Sequence, residues 1–335
     1  MKLLKLPSGF AHQERLAFYL AMEEWAARTL AAEDWFFTWR VSPTVIIGRN
    51  QQIDVEVDLD YCRQRGIDLC RRRSGGGCVY ANKDNIMMSC IITDARDVAT
   101  VFAAFSARVA DMLRRLGLPA EVTGRNDVTI GGRKVSGGAF YRVGDRNIAH
   151  STMLFSTDMA DMLRAITPSR SKLESKQVKS VESRLTTISE HIPQLSIESF
   201  NRHIESTMAT GGSYTLSESD IAEVRSIENA YYADEWLYGT RRGVTTKSRK
   251  RIEGVGEIAV GVSLERDSGR VRDIGLQGDF FALTDIDAAL LSHLRGVDFS
   301  REAFAEVLRV HNPGRAVANL TAGDLLDVIF ENQIT

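Results

Sequence analysis

The stretch from Gly124 to Arg142, GRNDVTIGGRKVSGGAFYR, constrains the fold of this chain more than any other. A short β-branched run, 128–130, is followed by Gly131 and Gly132 and then by a second run, 133–136. Two such runs separated by two glycines are typical of a β-hairpin, because a two-residue turn needs positive φ angles that glycine adopts at little cost. The predicted cross-strand pairs are Ile130 with Arg133, Thr129 with Lys134, Val128 with Val135 and Asp127 with Ser136.

This register predicts an amine and a carboxylate on one face of the hairpin. Because side chains alternate between the two faces of a strand, Asp127 and Lys134 share a face with Thr129 and Ser136. The opposite face would anchor the ribbon through the apolar residues Val128, Ile130 and Val135. A surface hairpin with a solvated lysine explains this stretch about as well, so any functional interpretation depends on the rest of the chain.

The bulk properties are those of an ordinary soluble protein of two domains. The chain has 335 residues, 44% apolar and 26% charged, with a net charge of −2. Neither nucleic acid nor a membrane is therefore expected as a partner. The longest apolar runs fall short of the roughly 18 residues needed to cross a bilayer. The start, MKLLKLPSGF, is broken too soon by proline and glycine for a secretory signal.

The cysteines indicate the compartment. Cys62, Cys70, Cys78 and Cys90 show no close-paired spacing. This pattern argues against a zinc site or a disulfide framework and favours a reducing, cytoplasmic location.

Helical periodicity is clearest over residues 97–116, and Gly117 is placed to end that helix. An amphipathic helix is predicted over 13–31, with Glu23 and Glu24 between its apolar positions. Further helices are predicted over 61–65, 158–166, 196–208 and 218–233, and strands over 36–40, 44–48, 67–73, 86–92 and 151–155.

The hydrophobic pattern changes after the basic run Lys247–Arg251, which is interpreted as a linker. Beyond it, residues 258–264 and 271–276 alternate like two strands. The chain therefore predicts a large domain over 1–246 and a small α+β domain over 247–335. Helices of the small domain are predicted to start at Thr284, Ser300 and Thr321.

Residues 168–186 form a serine-rich basic segment with few apolar side chains. A solvated loop explains this composition. A mobile flap that closes over an anionic ligand explains it too, and the sequence leaves both interpretations open.

A second candidate feature is the run Ser74–Gly77, which follows three arginines, Arg71–Arg73, between two predicted strands. Consecutive glycines expose backbone N–H groups and can form an anion-binding nest, while arginine is suited to carboxylates and phosphates. The run is not a P-loop, because Cys78 and Val79 follow Gly77 where a P-loop has Lys and Ser or Thr. It is not a dinucleotide fingerprint either, since no helix follows.

These parts together fit one chemistry. A glycine nest and arginines would hold phosphates or a carboxylate. A hairpin lysine would stabilise charge that grows on a carbonyl or phosphoryl oxygen, with Asp127 orienting it. Such a set suits activation of a carboxylic acid as an acyl-adenylate, followed by acyl transfer.

At these residues the sequence resembles the lipoate–protein ligases of the biotin/lipoate protein ligase superfamily, over nearly its full length. Each matching motif is weak alone, but their order and spacing are specific. The motifs are Leu20-Ala21-Met22-Glu23-Glu24, Trp39-Arg40, Gly48-Arg49, Arg71-Arg72-x-Ser74-Gly75-Gly76-Gly77-x-Val79-Tyr80, Gly124-Arg125-Asn126-Asp127, Lys134-Val135-Ser136-Gly137, His150-Ser151-Thr152-Met153-Leu154, Lys179-Ser180-Val181-x-Ser183-Arg184 and Gly278-Asp279-Phe280-Phe281.

The resemblance implies an α+β fold: an α/β-type mixed sheet with flanking helices as the catalytic domain, plus a small C-terminal α+β accessory domain. It implies that lipoate and ATP give lipoyl-AMP and pyrophosphate. The lipoyl group would then pass to a lysine of a lipoyl domain in a 2-oxoacid dehydrogenase complex or of the glycine cleavage H protein. Mg²⁺ would offset the phosphate charge.

The resemblance also implies roles for individual residues. Lys134 would be the catalytic lysine, in contact with the lipoyl carbonyl and the α-phosphate. The implied ATP-binding residues are Arg72, Gly77, Cys78, Val79, Tyr80, Asn126, Asp127 and Lys134. The implied lipoate-binding residues are Trp39, Arg71, Ser74, Gly75, Gly76, Lys134, Arg142 and His150.

The sequence departs from many relatives at Ala81-Asn82, where they have His-Asp, which puts a side-chain role there in doubt. The main rival function is octanoyl or lipoyl transfer from an acyl carrier or a lipoylated donor without ATP. A cysteine-type transferase needs a reactive thiol, and Cys78, the one cysteine inside a motif, is expected to be a small buried residue. The presence of a C-terminal domain favours the ligase. A carrier-binding protein without catalysis remains the non-enzymatic alternative.

Overall fold

The structure is a computed structural model that describes residues 1–8, 10, 15–94, 96–124, 126–157, 159–166, 183–239, 246–331 and 333–334. The predicted flap over 168–186 lies outside the described residues except for its last four. The strands are β1 (Lys2–Lys5), β2 (Trp35–Trp39), β3 (Thr44–Ile47), β4 (Asp68–Arg71), β5 (Val79–Ala81), β6 (Asn85–Ile92), β7 (Ala120–Thr123), β8 (Asp127–Ile130), β9 (Arg133–Val143), β10 (Arg146–Leu154), β11 (Ser213–Thr215), β12 (Thr246–Ile252), β13 (Gly256–Leu264), β14 (Val271–Gly278) and β15 (Gln333–Ile334).

The helices predicted over 61–65, 97–116, 158–166, 196–208 and 218–233 are present with shifted ends, whereas the short helices Ile53–Glu56, Ile188–His191 and Asp234–Tyr238 were not predicted. In chain order the helices are α1 (Leu16–Thr29), α2 (Ile53–Glu56), α3 (Leu59–Arg65), α4 (Val98–Arg114), α5 (Met159–Ala165), α6 (Ile188–His191), α7 (Ile197–Met208), α8 (Glu218–Glu228), α9 (Asp234–Tyr238), α10 (Ile286–Ala289), α11 (Arg301–Val310) and α12 (Ala322–Glu331). None of the helices in the described part of the chain combines the length and the apolar character needed to span a bilayer.

The chain divides into two compact units. The larger unit comprises Met1–Ile47, Ile53–Arg72 and Cys78–Leu237. The smaller unit comprises Gly48–Gln52, Arg73–Gly77 and Tyr238–Thr335. Two short loops from the first quarter of the sequence are thus grouped with the C-terminal residues, and one of them is the glycine-rich loop. The boundary between residues 246 and 247 stays a prediction.

The larger unit is built on an eight-stranded mixed sheet in the order β11-β1-β2-β6-β10-β9-β8-β7. Strand β1 runs parallel to β2 and β11, whereas the pairs from β2 to β7 are antiparallel. Helix α4 packs against β7–β10, and its apolar stripe explains that position, because one helix face is buried and the other is solvated. The α+β prediction for this part is confirmed.

Helix α1 is present, but it lacks the solvated face of the amphipathic helix that the sequence predicted. Every residue from Leu16 to Ala27 is buried, and this includes Glu23 and Glu24. The helix contacts the sheet at β6, β9 and β10 on one side and helix α8 on the other. A helix covered on both sides has no solvated face, so its two glutamates are held inside the unit.

The hairpin of β8 and β9 forms with the predicted glycine turn, but part of its register differs from the prediction. Gly131 and Gly132 have φ angles of 58° and 75°, as a two-residue turn requires. Ile130 pairs with Arg133 and Thr129 with Lys134, as predicted.

The register then shifts. Val128 faces Ser136 and Asp127 faces Gly137, so the predicted pairs Val128–Val135 and Asp127–Ser136 are wrong. Between Lys134 and Ser136 strand β9 carries one residue more than β8 does, which is a β-bulge.

A second, three-stranded sheet in the larger unit has the order β4-β3-β5. Strand β4 is parallel to β3, and β5 is antiparallel to it. Apolar residues of this sheet pack with α3 and α5 in a separate core that includes Val45, Ile47 and Tyr80. The sheet therefore positions Arg71, the last residue of β4, and Arg72, whose amide donates to the Ile47 carbonyl of β3.

The smaller unit contains a four-stranded sheet in the order β14-β13-β12-β15. The interpretation of Lys247–Arg251 as a linker is wrong, because these residues lie within β12. Acidic partners explain why a basic run can form a strand. Arg249 lies 3.4 Å from Glu257, Lys250 lies 3.9 Å from Asp327, and Arg251 lies 3.2 Å from Asp279.

Helix starts in the smaller unit follow the capping rules. The hydroxyls of Ser300 and Thr321 accept hydrogen bonds from the amides of Ala303 and Asp324, as predicted. The first helix is capped by Asp285 rather than by Thr284. The carboxylate of Asp285 accepts hydrogen bonds from the amides of Asp287 and Ala288, which have no partner within the helix.

Candidate functional site

Lys134 and Asp127 form an ion pair on the β8–β9 hairpin. Lys134 Nζ lies 2.7 Å from Asp127 Oδ1, and the two side chains are 36% and 35% exposed. The prediction that both residues share one face is confirmed, because Thr129 pairs with Lys134 as predicted and Asp127 lies two residues from Thr129 on the same strand. A half-exposed ammonium held by a carboxylate can reach a ligand without losing its position.

The backbone of Lys134 is held from a distant part of the chain. Its N–H donates to the Arg184 carbonyl at 2.8 Å, and its carbonyl accepts from the Thr186 amide at 2.9 Å. Lys134 and Leu185 thereby form a parallel β-bridge. Residues 184–186 thus act as a short extra strand beside Lys134, and no periodic pattern in the sequence predicted this strand.

Glu190, in helix α6, ties this extra strand to the hairpin. Its Oε2 accepts from Arg133 Nη1 at 2.9 Å and from Thr186 Oγ1 at 3.1 Å. Its Oε1 accepts from the amide of Thr187 at 3.1 Å. Burial alone raises the pKa of Glu190, but the hydrogen bonds from Arg133, Thr186 and Thr187 outweigh burial and lower that pKa below its ordinary value.

Asn126 closes the loop that leads into β8. Its Nδ2 donates to the Gly138 carbonyl at 2.8 Å, and the Gly138 amide donates to the Asn126 carbonyl at 2.9 Å. The residue therefore fixes the entry of β8 next to Asp127. Its implied contact with the adenylate stays a prediction.

Arg71 and Arg72 are buried and donate to backbone carbonyls. Arg71 Nε and Nη2 lie 3.0 and 2.8 Å from the Leu237 carbonyl, and Arg72 Nη1 lies 3.2 Å from that of Ile46. Burial lowers the pKa of Arg71 and lowers that of Arg72 to about 10. Both groups stay charged at neutral pH. A buried guanidinium group is suited to bind a carboxylate or a phosphate.

The glycine-rich loop lies in the smaller unit, where it packs against the backbone of the Gly278–Phe281 motif. The Gly76 amide donates to the Phe280 carbonyl at 3.1 Å. A Cβ at Gly75 would lie 2.3 Å from the same Phe280 oxygen. Glycine is thus required here for close packing. The predicted anion-binding nest stays a prediction, and the Gly76 amide already has a protein acceptor.

The residues after the loop form β5. Tyr80 is buried in the core of the small sheet, and Val79 packs against the core beneath the large sheet. Cys78 is half-buried rather than fully buried as predicted, and it packs against the small-sheet core. Cys78 therefore packs like a small apolar residue.

A buried polar network surrounds Glu23 in the larger unit. His150 Nδ1 lies 3.0 and 3.1 Å from the two carboxylate oxygens of Glu23. Ser89 Oγ donates to Glu23 at 2.5 Å, and Tyr141 Oη donates to it at 3.0 Å. Trp39 Nε1 donates to Ser89 Oγ at 2.9 Å. Two implied lipoate-binding residues, Trp39 and His150, are therefore brought together by one carboxylate.

Glu23 is at the centre of this network, and no role was predicted for it from the sequence. Because a carboxylate only accepts hydrogen bonds, its contact assigns the proton of His150 to Nδ1. Burial, and then the Glu23 charge, raise the pKa of Tyr141 well above its ordinary value, so its hydroxyl stays a donor. The sequence feature that could have indicated a buried carboxylate is the pair Glu23 and Glu24 within an otherwise apolar helical segment.

Arg142 lies further along β9, in the part that leads to the β9–β10 turn. Its Nε donates to the Gly144 carbonyl at 3.1 Å, and its side chain is exposed. His150 instead pairs with Ala139 in the middle of the sheet. The implied contact of Arg142 with lipoate stays a prediction.

Among the described residues there is no group of three or more His, Cys, Asp or Glu side chains arranged to hold a metal ion. Asp127 is the carboxylate on the hairpin face that carries Lys134. One carboxylate meets the usual need of a nucleotide-bound Mg²⁺, which takes most of its ligands from phosphates and water.

The chain matches known protein families over most of its length. Residues 15–209 match the lipoyl protein ligase A/B catalytic domain family, and residues 243–329 match the bacterial lipoate protein ligase C-terminus. The lipoate-protein ligase LplJ of Bacillus subtilis (strain 168) is 33% identical over 320 residues, which cover 93% of this chain and 96% of that protein. The chain belongs to the lipoyl protein ligase A/B family. The predicted family, fold class and enzyme class are confirmed, and lipoate–protein ligation is its function.

Two solved structures show the same fold. A bipartite lipoate protein ligase of Thermoplasma acidophilum, studied with its E2 lipoyl domain, is 27% identical, covers 73% of this chain and 98% of its own, and has a TM-score of 0.64. A lipoate-protein ligase A bound with ATP is 24% identical, covers 71% of this chain and 98% of its own, and has a TM-score of 0.60.

Proposed function

We propose that this ligase works in two steps that share Lys134. In the first step a lipoate carboxylate oxygen attacks the α-phosphorus of ATP, giving lipoyl-AMP and pyrophosphate. In the second step a lysine amine of an acceptor domain attacks the lipoyl carbonyl, forming an amide and releasing AMP. The single observation that carries the proposal is the Lys134–Asp127 ion pair, a half-exposed amine held 2.7 Å from a carboxylate on a rigid hairpin.

Lys134 supplies fixed positive charge in both steps. In the first step negative charge builds on the α-phosphoryl oxygens, and in the second it builds on the lipoyl carbonyl oxygen. A preorganised ammonium stabilises both without reorganising at the moment of reaction. Asp127 keeps the ammonium in place between turnovers, and Asn126 fixes the strand end that carries Asp127.

The other implied site residues are proposed to bind the two substrates. Arg72 and residues 77–80 would hold ATP, with support from the buried charge of Arg72. Arg71, residues 74–76, Trp39, Arg142 and His150 would hold lipoate. The Glu23 network supports this second set, because it fixes the indole of Trp39 and the ring of His150 in one orientation each.

ATP and Mg²⁺ are the proposed cofactors. ATP is supported by the ATP-bound ligase that shares this fold. Mg²⁺ would arrive with the nucleotide, held by phosphate oxygens and by Asp127, and would neutralise phosphate charge as pyrophosphate leaves.

The proposed acceptors are lipoyl domains of 2-oxoacid dehydrogenase complexes and the glycine cleavage H protein. The Thermoplasma ligase, which has been studied with an E2 lipoyl domain, supports the first class. The H protein is proposed because it too presents a lysine for lipoylation.

The test separates the two steps. The full chain is mixed with lipoate, ATP and Mg²⁺, and pyrophosphate and lipoyl-AMP are measured without an acceptor. An E2 lipoyl domain or an H protein is then added, and its mass is measured. We expect lipoyl-AMP without acceptor, and a lipoyl mass shift that is absent when the acceptor lysine is replaced by arginine.

Two results would contradict the proposal. One is pyrophosphate release that stays at background in a correctly folded sample. The other is acceptor labelling from an octanoyl carrier protein with no ATP present, which would establish the transferase reaction instead.

A further inference from the structure

We infer that Gly137 is a positioning residue for Lys134: its missing side chain leaves the space through which the lysine reaches Asp127. The inference rests on the proposed role of Lys134 in adenylation. In this view glycine is needed at position 137 to leave space for Lys134, and not because the backbone has a conformation that only glycine adopts.

The bulge in β9 creates this arrangement. In a regular strand, residues 134 and 137 would point to opposite faces, because their separation is odd. The extra residue between Lys134 and Ser136 removes one step of the alternation. Lys134 and Gly137 therefore lie on the same face of β9. On β8, Thr129 pairs with Lys134 and Asp127 pairs with Gly137. The lysine side chain runs along this face, past Gly137, to the carboxylate.

Distances show that the space is filled by the lysine. A Cβ built on Gly137 would lie 2.6 Å from Lys134 Nζ and 2.7 Å from Lys134 Cε. The same Cβ would lie 3.6 Å from Asp127 Oδ1, which is an ordinary contact. Contacts below 3.0 Å are not tolerated, so any side chain at 137 has to displace the ammonium and leaves the carboxylate where it is.

The backbone at Gly137 does not require glycine. Gly137 is absent from the residues with positive φ, in contrast to Gly131 and Gly132 in the turn of the same hairpin. Alanine can adopt its conformation without strain. Among the described residues, the atoms that lie within 3.0 Å of this Cβ belong to the flexible end of Lys134.

Gly138 provides a matched comparison on the opposite face. A Cβ there would lie 2.8 and 2.9 Å from two ring atoms of Phe102, which is buried in the contact between α4 and the sheet. The two adjacent glycines therefore have different purposes. Gly138 makes room for the core, and Gly137 makes room for the catalytic amine.

The first experiment is a crystal structure of the Gly137→Ala variant without ligands. We expect Nζ of Lys134 to move beyond hydrogen-bond reach, more than about 3.2 Å, from Asp127 Oδ1. An ion pair that remains at its present distance would overturn the inference. This readout does not depend on whether the protein forms lipoyl-AMP, so it separates failure of the inference from failure of the proposed function.

The second experiment is a stability cycle with four proteins: wild type, Gly137→Ala, Lys134→Ala and the double variant. We expect Gly137→Ala to lower Tm by about 2 °C or more, and to have almost no effect once Lys134 is truncated. Gly138→Ala should lower Tm equally in both backgrounds. If Gly137→Ala destabilised the Lys134→Ala protein as much as the wild type, the glycine would be a backbone requirement and the inference would be wrong.

The third experiment measures catalysis. With the ammonium displaced by an ångström or more, we expect kcat for lipoyl-AMP formation to fall about 10- to 100-fold in Gly137→Ala, with the KM for lipoate nearly unchanged. A merely structural role would not split kcat from KM in this way. Wild-type kcat in the variant would contradict the inference.

Discussion

At the scale of single residues, the charge on Lys134 is the feature on which the proposed chemistry depends. Its position is set by three neighbours of different kinds: a carboxylate at 2.7 Å, a glycine that leaves space, and backbone bonds to residues 184 and 186. Each one restricts where the ammonium can be when a substrate arrives.

We expect Lys134→Ala to lower the rate of lipoyl-AMP formation by about 100-fold or more, because a preorganised charge at the transition state is lost. The fold should change little, since the side chain is 36% exposed and Asp127 can be solvated instead. Lys5→Ala, an exposed lysine on β1, is the matched control and should keep full activity. A Lys134→Ala protein with wild-type turnover would show that the amine has no part in adenylation.

Cysteine reactivity separates the ligase from a thioester-forming transferase. Burial raises the pKa of the thiols of Cys70 and Cys90, and it raises that of Cys62 to about 11, so these three are poor nucleophiles. Cys78 is half-buried and remains the one candidate.

We expect Cys78→Ala to keep lipoylation within about twofold of wild type, because the side chain packs as a small apolar group. The measurement is acceptor lipoylation under saturating ATP and lipoate. A loss as large as that of Lys134→Ala would favour a covalent thioester route.

At the scale of elements, the β8–β9 hairpin and the segment 183–191 behave as one assembly. Glu190 joins them through hydrogen bonds to Arg133, Thr186 and Thr187. The sequence predicted the hairpin from its two glycines, yet it could not predict this partner. The residues that meet are about 50 positions apart, and such pairings depend on the whole fold.

The lowered pKa of Glu190 predicts a pH dependence of stability. A carboxyl group whose pKa is lower in the folded than in the unfolded protein stabilises the fold above its unfolded pKa, and this contribution is lost as pH falls through the folded value. We therefore expect the Tm of the wild type to fall more steeply than that of Glu190→Gln below about pH 4.5, the ordinary value for glutamate. The side chain is 44% exposed, so the difference should be small. Parallel curves from pH 7 to pH 3 would contradict the role of Glu190.

At the scale of the whole molecule, residues that are far apart in the sequence belong to the same compact unit. The loops 48–52 and 73–77 belong to the unit that contains the C-terminal residues. Within that unit the glycine-rich loop meets the Gly278–Phe281 motif, so two of the motifs that carried the family resemblance are contact partners. The C-terminal domain thus supports a loop that is implied in substrate binding.

We expect Gly75→Ala to lower the free energy of unfolding by about 1–3 kcal/mol, because its Cβ would lie 2.3 Å from a backbone oxygen that cannot easily move. Gly77→Ala is the matched control for stability. The nearest atom to its Cβ would be 3.9 Å away, and neither glycine has a positive φ. The measurement is Tm by calorimetry. Equal Tm values for both variants would show that the loop adjusts freely.

Features that depend on residues close together in the chain could be predicted before the fold was known. The turn at Gly131-Gly132 follows from the φ angles that only glycine adopts easily, and helix α4 follows from its apolar spacing. The same local rules placed Lys134 and Asp127 on one face of the hairpin. Motif order then identified the family.

Tertiary structure alone decided the features that depend on residues far apart in the chain. The bulge that brings Lys134 over Gly137, the burial of Glu23 and the strand at 246–252 all reversed or escaped the local prediction. The physical reason is common to them. Whether a charged side chain is buried against a sheet, lies in a strand or is solvated depends on the partners that surround it, such as His150 for Glu23 and Asp327 for Lys250. No local sequence pattern identifies those partners.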